Sequence, residues 1–502
     1  MPSRSSPRCA LPHLALALVG LVAIVLGAAP ARADESTAGG ERTSAKKVPW
    51  LQAEITQVAT ALEEDKPVEA FLSISYEYFA KRAAIKREWE LSSTTNGVGT
   101  FKDLRYKQDR HTIRLRGEIG FLWDLSFHVE TPIVVSDQRS LGFDQSLGGS
   151  CVYPQDVPAG SDEKPSCVNE LNSATLRDGI VPGSFGTLNS AHGFDAQRGG
   201  QMFQGGDPTM FRGPKRAGLE SLNLGLDWAL LAQRKDDTKP TWVVSAEFRL
   251  SLGTPMRFNR GAFDASGSYT GGTSVTSGVH YVKLGTTISK RWSLVEPYAM
   301  YYWIYPMAVR DSSGFKNYGA GQKGWKPQQH AGTQFGFELI PWENRPAHQK
   351  ISIDVRVIVD AHFQGRGYSE IWELLSTSPA LVPQAQPSGV NGEVLMKPES
   401  YPGITDIENY FSYGGQLGLV VRAGRYLKFR GFFGVQGAQK HFITFADAGK
   451  DLDNSGKVEQ SGAQAAAEVN PAHRPLIDFV GRRYVVDETT MYTVLLQAEA
   501  VF

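Results

Sequence analysis

The chain has 502 residues, and its 52 Lys and Arg residues balance its 52 Asp and Glu residues. This balance offers no basic excess for a nucleic-acid partner, so none is expected. The 52 glycines and the 11% share of aromatic residues favour a turn-rich β protein over a helical one.

The first 33 residues predict a cleaved signal peptide. Arg4 and Arg8 supply the positive start, residues 11–26 supply the apolar core, and residues 31–33 (Ala-Arg-Ala) supply a cleavage site. The alternative is an N-terminal membrane anchor, which the short apolar run disfavours. Beyond this segment no apolar run reaches the roughly 18 residues that a transmembrane helix needs, so a soluble exported protein and a membrane β-barrel both remain open.

Residues 34–68 predict a leader on the periplasmic side. Within it, Leu51, Ile55, Val58 and Leu62 recur at the spacing of one face of a helix over 50–64. Such an amphipathic helix would lie near the mouth of a barrel, act as a plug inside it, or pack on a neighbouring surface.

From residue 69 onward, twelve segments alternate apolar and polar side chains with the period of a β-strand. In the cleanest, 350–363, one face carries Ile351, Ile353 and Val355 while polar residues take the other. Short and long connections alternate strictly between the segments. This pattern predicts an all-β fold, a transmembrane antiparallel β-barrel of about twelve strands over residues 69–502. The predicted strands are 71–79, 111–121, 125–135, 219–231, 241–253, 279–290, 294–309, 330–340, 350–363, 410–422, 426–442 and 489–502.

The last strand has one wholly apolar face, which includes Tyr492, Leu496 and the C-terminal Phe502. With this ending and the alternating connections, the chain resembles bacterial outer-membrane β-barrel proteins of the porin type, in which a terminal aromatic residue is an assembly signal. The resemblance implies a location in the outer membrane of a Gram-negative cell. It also implies outer-membrane lipid and the barrel assembly machinery as partners, with Phe502 at the periplasmic rim.

If the apolar faces meet lipid, the polar faces line the lumen. Side chains of both signs in a narrow pore solvate polar solutes and select among them by charge, so the first hypothesis is a passive channel for small polar solutes. Paired charges that merely fill the interior are the alternative. The chain would then be a non-conducting surface barrel whose long outer loops bind a partner or ligand. The candidate lumen residues are Arg114, Arg116, Glu118, Glu130, Glu247, Arg249, Asp354, Arg356, Arg430 and Glu499.

An outer-membrane lipid hydrolase is a third hypothesis. Barrel phospholipases use a serine nucleophile with a histidine base on neighbouring strands, and they carry a His-x-Ser signature that this sequence lacks. His362, beside Asp360, is the one candidate base, and the sequence names no nucleophile or oxyanion hole to accompany it. We therefore expect that the protein is not an enzyme.

Cys151 and Cys167 lie in one polar segment, and they are the cysteines that remain after the signal peptide is removed. In an exported protein such a pair is expected to form a disulfide. Closing a loop of this size would stabilise the protein by about 3 kcal/mol in the chain-entropy model.

Two further segments of the predicted outer loops carry recognisable patterns. Asp451, Asp453 and Ser455 match positions one, three and five of an EF-hand loop, but Gly462 stands where the bidentate acid belongs. A weak Ca²⁺ site and an ordinary Asx-rich turn both fit these residues, and no other cofactor is expected. Residues 368–375 predict a short amphipathic helix, either a lid over the barrel mouth or an element on the outer membrane surface.

Overall fold

The computed structural model describes residues 53–63, 66–90, 97–144, 173–178, 180, 209–259, 269–310, 313–315, 317, 319–378, 381, 401–459, 461–462 and 465–502. The predicted signal peptide, the first part of the predicted leader, and Cys151 and Cys167 lie outside the described residues.

Twelve antiparallel strands form a closed barrel. Each strand pairs with the next one along the chain, and the last strand closes the ring by pairing with both the eleventh and the first. Every predicted strand overlaps one of them, so the prediction of an all-β transmembrane barrel of about twelve strands is confirmed. The strands are β1 Ala70–Glu90, β2 Val98–Leu122, β3 Leu125–Phe143, β4 Leu222–Leu231, β5 Thr241–Leu250, β6 Val279–Ser289, β7 Val295–Val309, β8 His330–Asn344, β9 Gln349–His362, β10 Tyr410–Ala423, β11 Leu427–Ala438 and β12 Tyr484–Val501.

Alternate side chains of the strands form an apolar belt on the outside of the barrel. In β1, Leu72 and Ile74 are 59% and 54% exposed, whereas Ser73 between them is only 7% exposed. A belt of this kind would be costly in water, at about 25 cal/mol per Å² of apolar surface, and it matches the hydrocarbon of a bilayer. Exposed apolar side chains on the other strands include Leu115, Phe127, Leu226, Phe248, Leu284, Trp303, Phe337, Val357, Leu417, Phe433 and Leu496.

Five connections lie at one end of the barrel, the short-turn end, and the other six lie at the opposite end, the long-loop end. The connections at the short-turn end are 123–124, 232–240, 290–294, 345–348 and 424–426. At the long-loop end the link 91–97 is also short because β1 and β2 are extended, and the other five connections are long. The chain ends at the short-turn end, because Phe502 N donates to Ala70 O over 2.9 Å at the start of β1. Phe502 is therefore exposed on the short-turn rim.

At the long-loop end, four strands run further than the sequence predicts. β1, β2, β3 and β12 have 21, 25, 19 and 18 residues, so they continue beyond the membrane at the long-loop end. The connection between the predicted strands 125–135 and 219–231 is accordingly part strand, and Thr209–Arg212 and Arg216–Leu219 pair with β3. The simple alternation fails in these extensions: Ala83 and Ile85 pack against loop residues in one hydrophobic core, and the small Ala84 between them is also buried.

The described parts of the long loops share with the strand ends one hydrophobic core, which we call the cap. It joins residues from around the ring, among them Leu104 of β2, Met256, Trp372 and Ile477, so it spans the mouth of the barrel. Trp372 is completely buried. The helix predicted over 368–375 begins at Trp372 in the structure, and its residues pack into the cap instead of lying on the membrane surface.

The remaining elements are short. No helix among the described residues is long and apolar enough to cross a membrane. The helices are α1 Ala174–Arg177, α2 Trp372–Thr377, α3 Ala465–Glu468 and α4 Pro475–Asp478, and the short strands outside the ring are Ala61–Glu63, Lys66–Val68, Thr209–Arg212, Arg216–Leu219, Gly365–Gly367, Thr405–Ile407 and His441–Phe442.

Residues 53–60, the inner segment, lie inside the short-turn end of the barrel. The helix predicted over 50–64 is wrong for the described residues, where Glu54–Thr56 forms one 3₁₀ turn between extended residues. Apart from that single turn, the segment bonds to the barrel wall: Thr56 Oγ1 lies 2.9 Å from Ser289 Oγ, and Ala59 N donates to Glu118 Oε1 over 3.1 Å. These contacts with the wall outweigh the weak local preference for a helix.

Candidate functional site

The inward faces of the strands enclose two cavities. The lower chamber, of about 520 Å³, lies above the inner segment. The upper chamber, of about 620 Å³, lies beneath the cap. Glu77 and Arg114 line both chambers and form the waist between them. At the waist, Arg114 Nη2 is 2.9 Å from Glu77 Oε2, and Arg114 Nη1 is 3.5 Å from Glu130 Oε1.

A charged interior inside an apolar belt reverses the arrangement of a soluble barrel, which buries its apolar faces. The fold is that of a bacterial outer-membrane β-barrel. Because lipid solvates the outer face, the polar groups on the inner face must find partners within the lumen.

Ion pairs of alternating sign line the lower chamber of this outer-membrane barrel. Arg116 Nη2 lies 2.8 Å from Glu118 Oε2 and 3.2 Å from Asp227 Oδ2. His128 Nδ1 lies 2.6 Å from the same Asp227 oxygen, and His128 Nε2 lies 3.4 Å from Glu247 Oε2. Since most charges here face an opposite one, the chamber presents both hydrogen-bond donors and acceptors to a solute.

The inner segment is held by a cluster of two acids and two bases. Glu54 Oε2 accepts a hydrogen bond from Arg430 and lies 3.4 Å from Lys428 Nζ. Glu499 contacts the same two cations, with Oε1 2.8 Å from Lys428 Nζ and Oε2 2.9 Å from Arg430 Nη2. Lys428 is fully buried and also donates to Gln57 in the inner segment. Glu54 is therefore the residue that ties the inner segment electrostatically to the wall.

The structure distributes the predicted lumen residues over three places. Arg249 lines the upper chamber. Asp354 and Arg356 are not among the residues that line either chamber: the Arg356 guanidinium donates to both Asp354 oxygens over 2.9 and 2.8 Å and lies 4.9 Å from the ring of Phe432. They pack as part of the wall. The lower chamber is lined by Arg114, Arg116, Glu118, Glu130, Glu247, Arg430 and Glu499.

Two of the interior residues that the sequence analysis does not identify are Glu54 and Ser412. The apolar spacing around Glu54 predicts a helix, and nothing in that pattern places the Glu54 carboxylate inside the barrel. Ser412, on the wall of the upper chamber, lies 3.2 Å from His362 but is separated from it by fifty positions. The alternation of β10 places Ser412 on the inner face, but nothing in the sequence sets the register that brings it to His362.

The predicted calcium residues lie in the long loop between β11 and β12. Asp451 accepts hydrogen bonds from Ser455 N over 3.1 Å and Gly456 N over 2.7 Å. Glu468 brings a carboxylate within 4.8 Å of those of Asp451 and Asp453. A hydrogen bond with the Glu459 side chain, assisted by backbone N–H donors, lowers the pKa of Glu468, so Glu468 is negatively charged. Backbone donors already occupy these acids as they would in an Asx-rich turn, and calcium binding stays a prediction.

No protein-family model matches the chain, and no curated protein matches its sequence. Among solved structures, it is similar to the COG4313 outer-membrane channel from Pseudomonas putida F1, with 8% identity, a TM-score of 0.35 and coverage of 92% of this chain and 100% of that one. It is also similar to a FadL homologue from Pseudomonas aeruginosa, with 8% identity, a TM-score of 0.27 and coverage of 87% of this chain and 90% of that one. The outer-membrane protease OmpT from Escherichia coli has 6% identity, a TM-score of 0.23 and coverage of 87% and 96%. Scores this low assign neither a subfamily nor a function.

Proposed function

We propose that the protein is an outer-membrane channel for small polar solutes. The observation that carries this proposal is the pair of charged chambers that meet at the waist formed by Glu77 and Arg114. A barrel with a purely structural role can fill its interior with packed side chains. A hollow interior lined by fixed charges of both signs suits the passage of hydrated polar molecules.

Both ends of this lumen are covered, so the structure corresponds to a closed channel. The cap covers the long-loop end with a large hydrophobic core. The inner segment covers the short-turn end with far fewer apolar contacts, mainly those of Val58 with Ala229 and Val243 and of Ala59 with Phe71 and Val501. Because its docking adds only the ion pairs of Glu54 and a few hydrogen bonds to these contacts, the inner segment is the weaker closure and the better candidate for the gate.

Location and processing complete the proposal. Residues 1–33 would be removed as a signal peptide, residues 34–68 would form the periplasmic leader, and residues 69–502 would form the barrel. The short-turn end would face the periplasm, where the barrel assembly machinery would recognise the exposed Phe502. The belt of apolar side chains supports outer-membrane lipid as the surrounding medium.

Neutralising the waist is expected to change ion selectivity. Arg114→Gln leaves Glu77 and Glu130 without their shared cation, so the waist becomes more negative. A unit charge about 10 Å from the pore axis at an effective dielectric constant of about 20 contributes on the order of 1–2 kcal/mol, so the permeability ratio of K⁺ to Cl⁻ should rise about tenfold. Reversal potentials in planar bilayers under a salt gradient measure this ratio.

Lys107→Glu is the matched control, because Lys107 is an exposed residue of β2 outside the two chambers. It should leave the permeability ratio unchanged. Purified protein that stays electrically silent in repeated trials, even after the inner segment has been released, would overturn the channel proposal. A silent barrel would favour the alternative of a surface barrel whose cap binds a partner.

Cys151 and Cys167 are expected to be joined in the exported protein. The denatured chain should take up no iodoacetamide until a reductant is added, after which both thiols should react. Cys151→Ser should expose one reactive thiol without reduction and lower the stability by about 3 kcal/mol. Alkylation of the unreduced wild-type chain would contradict the disulfide.

A further inference from the structure

A serine and two histidines meet on three neighbouring strands at the long-loop end of the barrel. His330 begins β8, His362 ends β9, and Ser412 is near the start of β10. His362 Nε2 lies 3.2 Å from Ser412 Oγ, and His362 Nδ1 lies 2.8 Å from His330 Nδ1. Both ring nitrogens of His362 therefore have a partner, which distinguishes it from the isolated lumen histidine that the sequence predicts.

The neighbouring strands fix the orientation of His362. In the pairing register, His362 stands opposite His330 on one side and Tyr410 on the other. The Tyr410 ring stacks on His362 at 4.2 Å with an interplanar angle of 4°, and His441 stacks on Tyr410 at 3.7 Å and 8°. Ser412 lies two residues beyond Tyr410, so the period of the strand places it on the same inner face. This column of rings holds the imidazole with Nε2 directed at the serine.

We propose that Ser412 is a nucleophile with His362 as its general base, and that the upper chamber hydrolyses small carboxylic esters. When His362 Nδ1–H donates to His330 Nδ1, His362 Nε2 carries no proton and accepts one from the Ser412 hydroxyl. A nucleophile, a base and a third group that orients the base are the components of serine hydrolase sites on unrelated folds. This activity is independent of conduction through the barrel.

The reaction needs water as its only co-reactant. Ser412 Oγ forms a bond to the carbonyl carbon of the ester while its proton passes to His362 Nε2. The tetrahedral adduct then collapses, the bond between the carbonyl carbon and the alcohol oxygen breaks, and His362 returns the proton to the leaving alcohol. Water attacks the acyl-serine with the same base, which releases the carboxylic acid and restores the serine.

The upper chamber limits the class of substrate. Its volume of about 620 Å³ suits a drug-sized molecule and not a phospholipid with two acyl chains. Apolar side chains on its wall include Phe79, Met256 and Met491, which fit a short acyl group. Lys81 lines the same chamber, and beyond its 2.6 Å bond to Glu370 its ammonium has further N–H donors for a developing oxyanion.

Labelling with a fluorophosphonate tests the proposal directly. The folded full-length barrel in detergent should be labelled on Ser412 and should hydrolyse 4-nitrophenyl acetate above the rate in buffer. Ser412→Ala should abolish both, and His362→Ala should lower the labelling rate by about a hundredfold or more. Ser277→Ala is the matched control, because Ser277 lines the same chamber but its hydroxyl accepts a hydrogen bond from Val279 N.

His330 is a positioning residue, so its variants separate orientation from packing. His330→Asn keeps an acceptor for His362 Nδ1–H and should retain the wild-type labelling rate. The similarly sized His330→Leu has no such acceptor, so its labelling rate should fall about tenfold. Glu54→Ala, which releases the inner segment, should give the probe easier entry. A barrel that is folded by circular dichroism but shows neither label nor ester turnover, with or without Glu54→Ala, overturns the proposal. Channel recordings of Ser412→Ala should match the wild type, which keeps the two functions distinguishable.

Discussion

Replacing Glu54 with alanine is expected to open the channel. In the closed structure Glu54 contacts two cations, the partly buried Arg430 and the fully buried Lys428, while Glu499 contacts the same pair. Without Glu54 the docked inner segment keeps two cations near a single acid, and removing one member of a buried ion cluster costs about 3–5 kcal/mol. When the segment undocks, that cost is relieved because water reaches both cations.

The other polar contacts between the inner segment and the wall are hydrogen bonds, each worth about 1 kcal/mol net. They include the bonds that join Thr56 to Ser289, Ala59 N to Glu118, Thr60 Oγ1 to Trp123 O, and Lys428 to Gln57. A loss of about 3 kcal/mol raises the ratio of undocked to docked segment by roughly a hundredfold. We therefore expect long, large openings in single-channel recordings of Glu54→Ala where the wild type shows rare and brief ones.

Two further variants test whether the openings depend on the charge of Glu54 itself. Glu54→Gln retains a hydrogen-bond acceptor but no charge, so its open probability should fall between those of the wild type and Glu54→Ala. Asp236→Ala removes an exposed acid from the turn between β4 and β5 at the same end of the barrel and should leave the openings unchanged. Wild-type behaviour of Glu54→Ala would show that the inner segment is not the gate.

The sequence predicts the barrel well because one physical constraint, lipid on the outside, acts on every strand. It forces outward residues such as Leu72 and Val357 to be apolar at a period of two, and the signal repeats twelve times. The strand extensions at the long-loop end do not face lipid, and there the sequence pattern no longer predicts the strands. The outer halves of β1 and β2 pack against loops in the cap, so Ala83, Ala84 and Ile85 show no alternation and the pattern predicts no strand there.

The interior depends on contacts between residues far apart in the chain. Glu54 meets Lys428 across 374 positions, and Ser412 meets His362 across fifty. A shift of one residue in strand register would move each of these side chains to the opposite face. The sequence therefore indicates that charged residues face the lumen, but which charges pair, and which serine meets the histidine, follows only from the register.

Replacing Arg216 with methionine is expected to loosen the cap and leave the barrel intact. Arg216 is fully buried, and its guanidinium donates to Glu373 Oε1 over 2.7 Å and to the carbonyls of Ser274 and Arg257 over 3.0 Å each. It also lies 4.9 Å from the ring of Trp372. Methionine fills much of the space but leaves Glu373 buried without its cation, at a cost of about 3–5 kcal/mol.

Limited proteolysis measures how much stability the cap loses in Arg216→Met. Cleavage within the cap should accelerate in Arg216→Met, while the far-ultraviolet dichroism of the strands stays at its wild-type value, because the ring is closed by its own ladder. Lys102→Met is the control: Lys102 lies 2.7 Å from Glu488 but both side chains are partly exposed, so the pair contributes less than about 1 kcal/mol. A cap that resists proteolysis equally in all three proteins would contradict a stabilising role for Arg216.

The two variants together address which closure limits passage. A solute must pass both the inner segment and the cap, so the conductance of the double variant E54A/R216M should exceed that of either single variant. If the double variant conducts no more than Glu54→Ala alone, the cap already leaves a path for ions in its folded state. The inner segment would then be the one barrier to ions, and the cap would exclude only larger solutes.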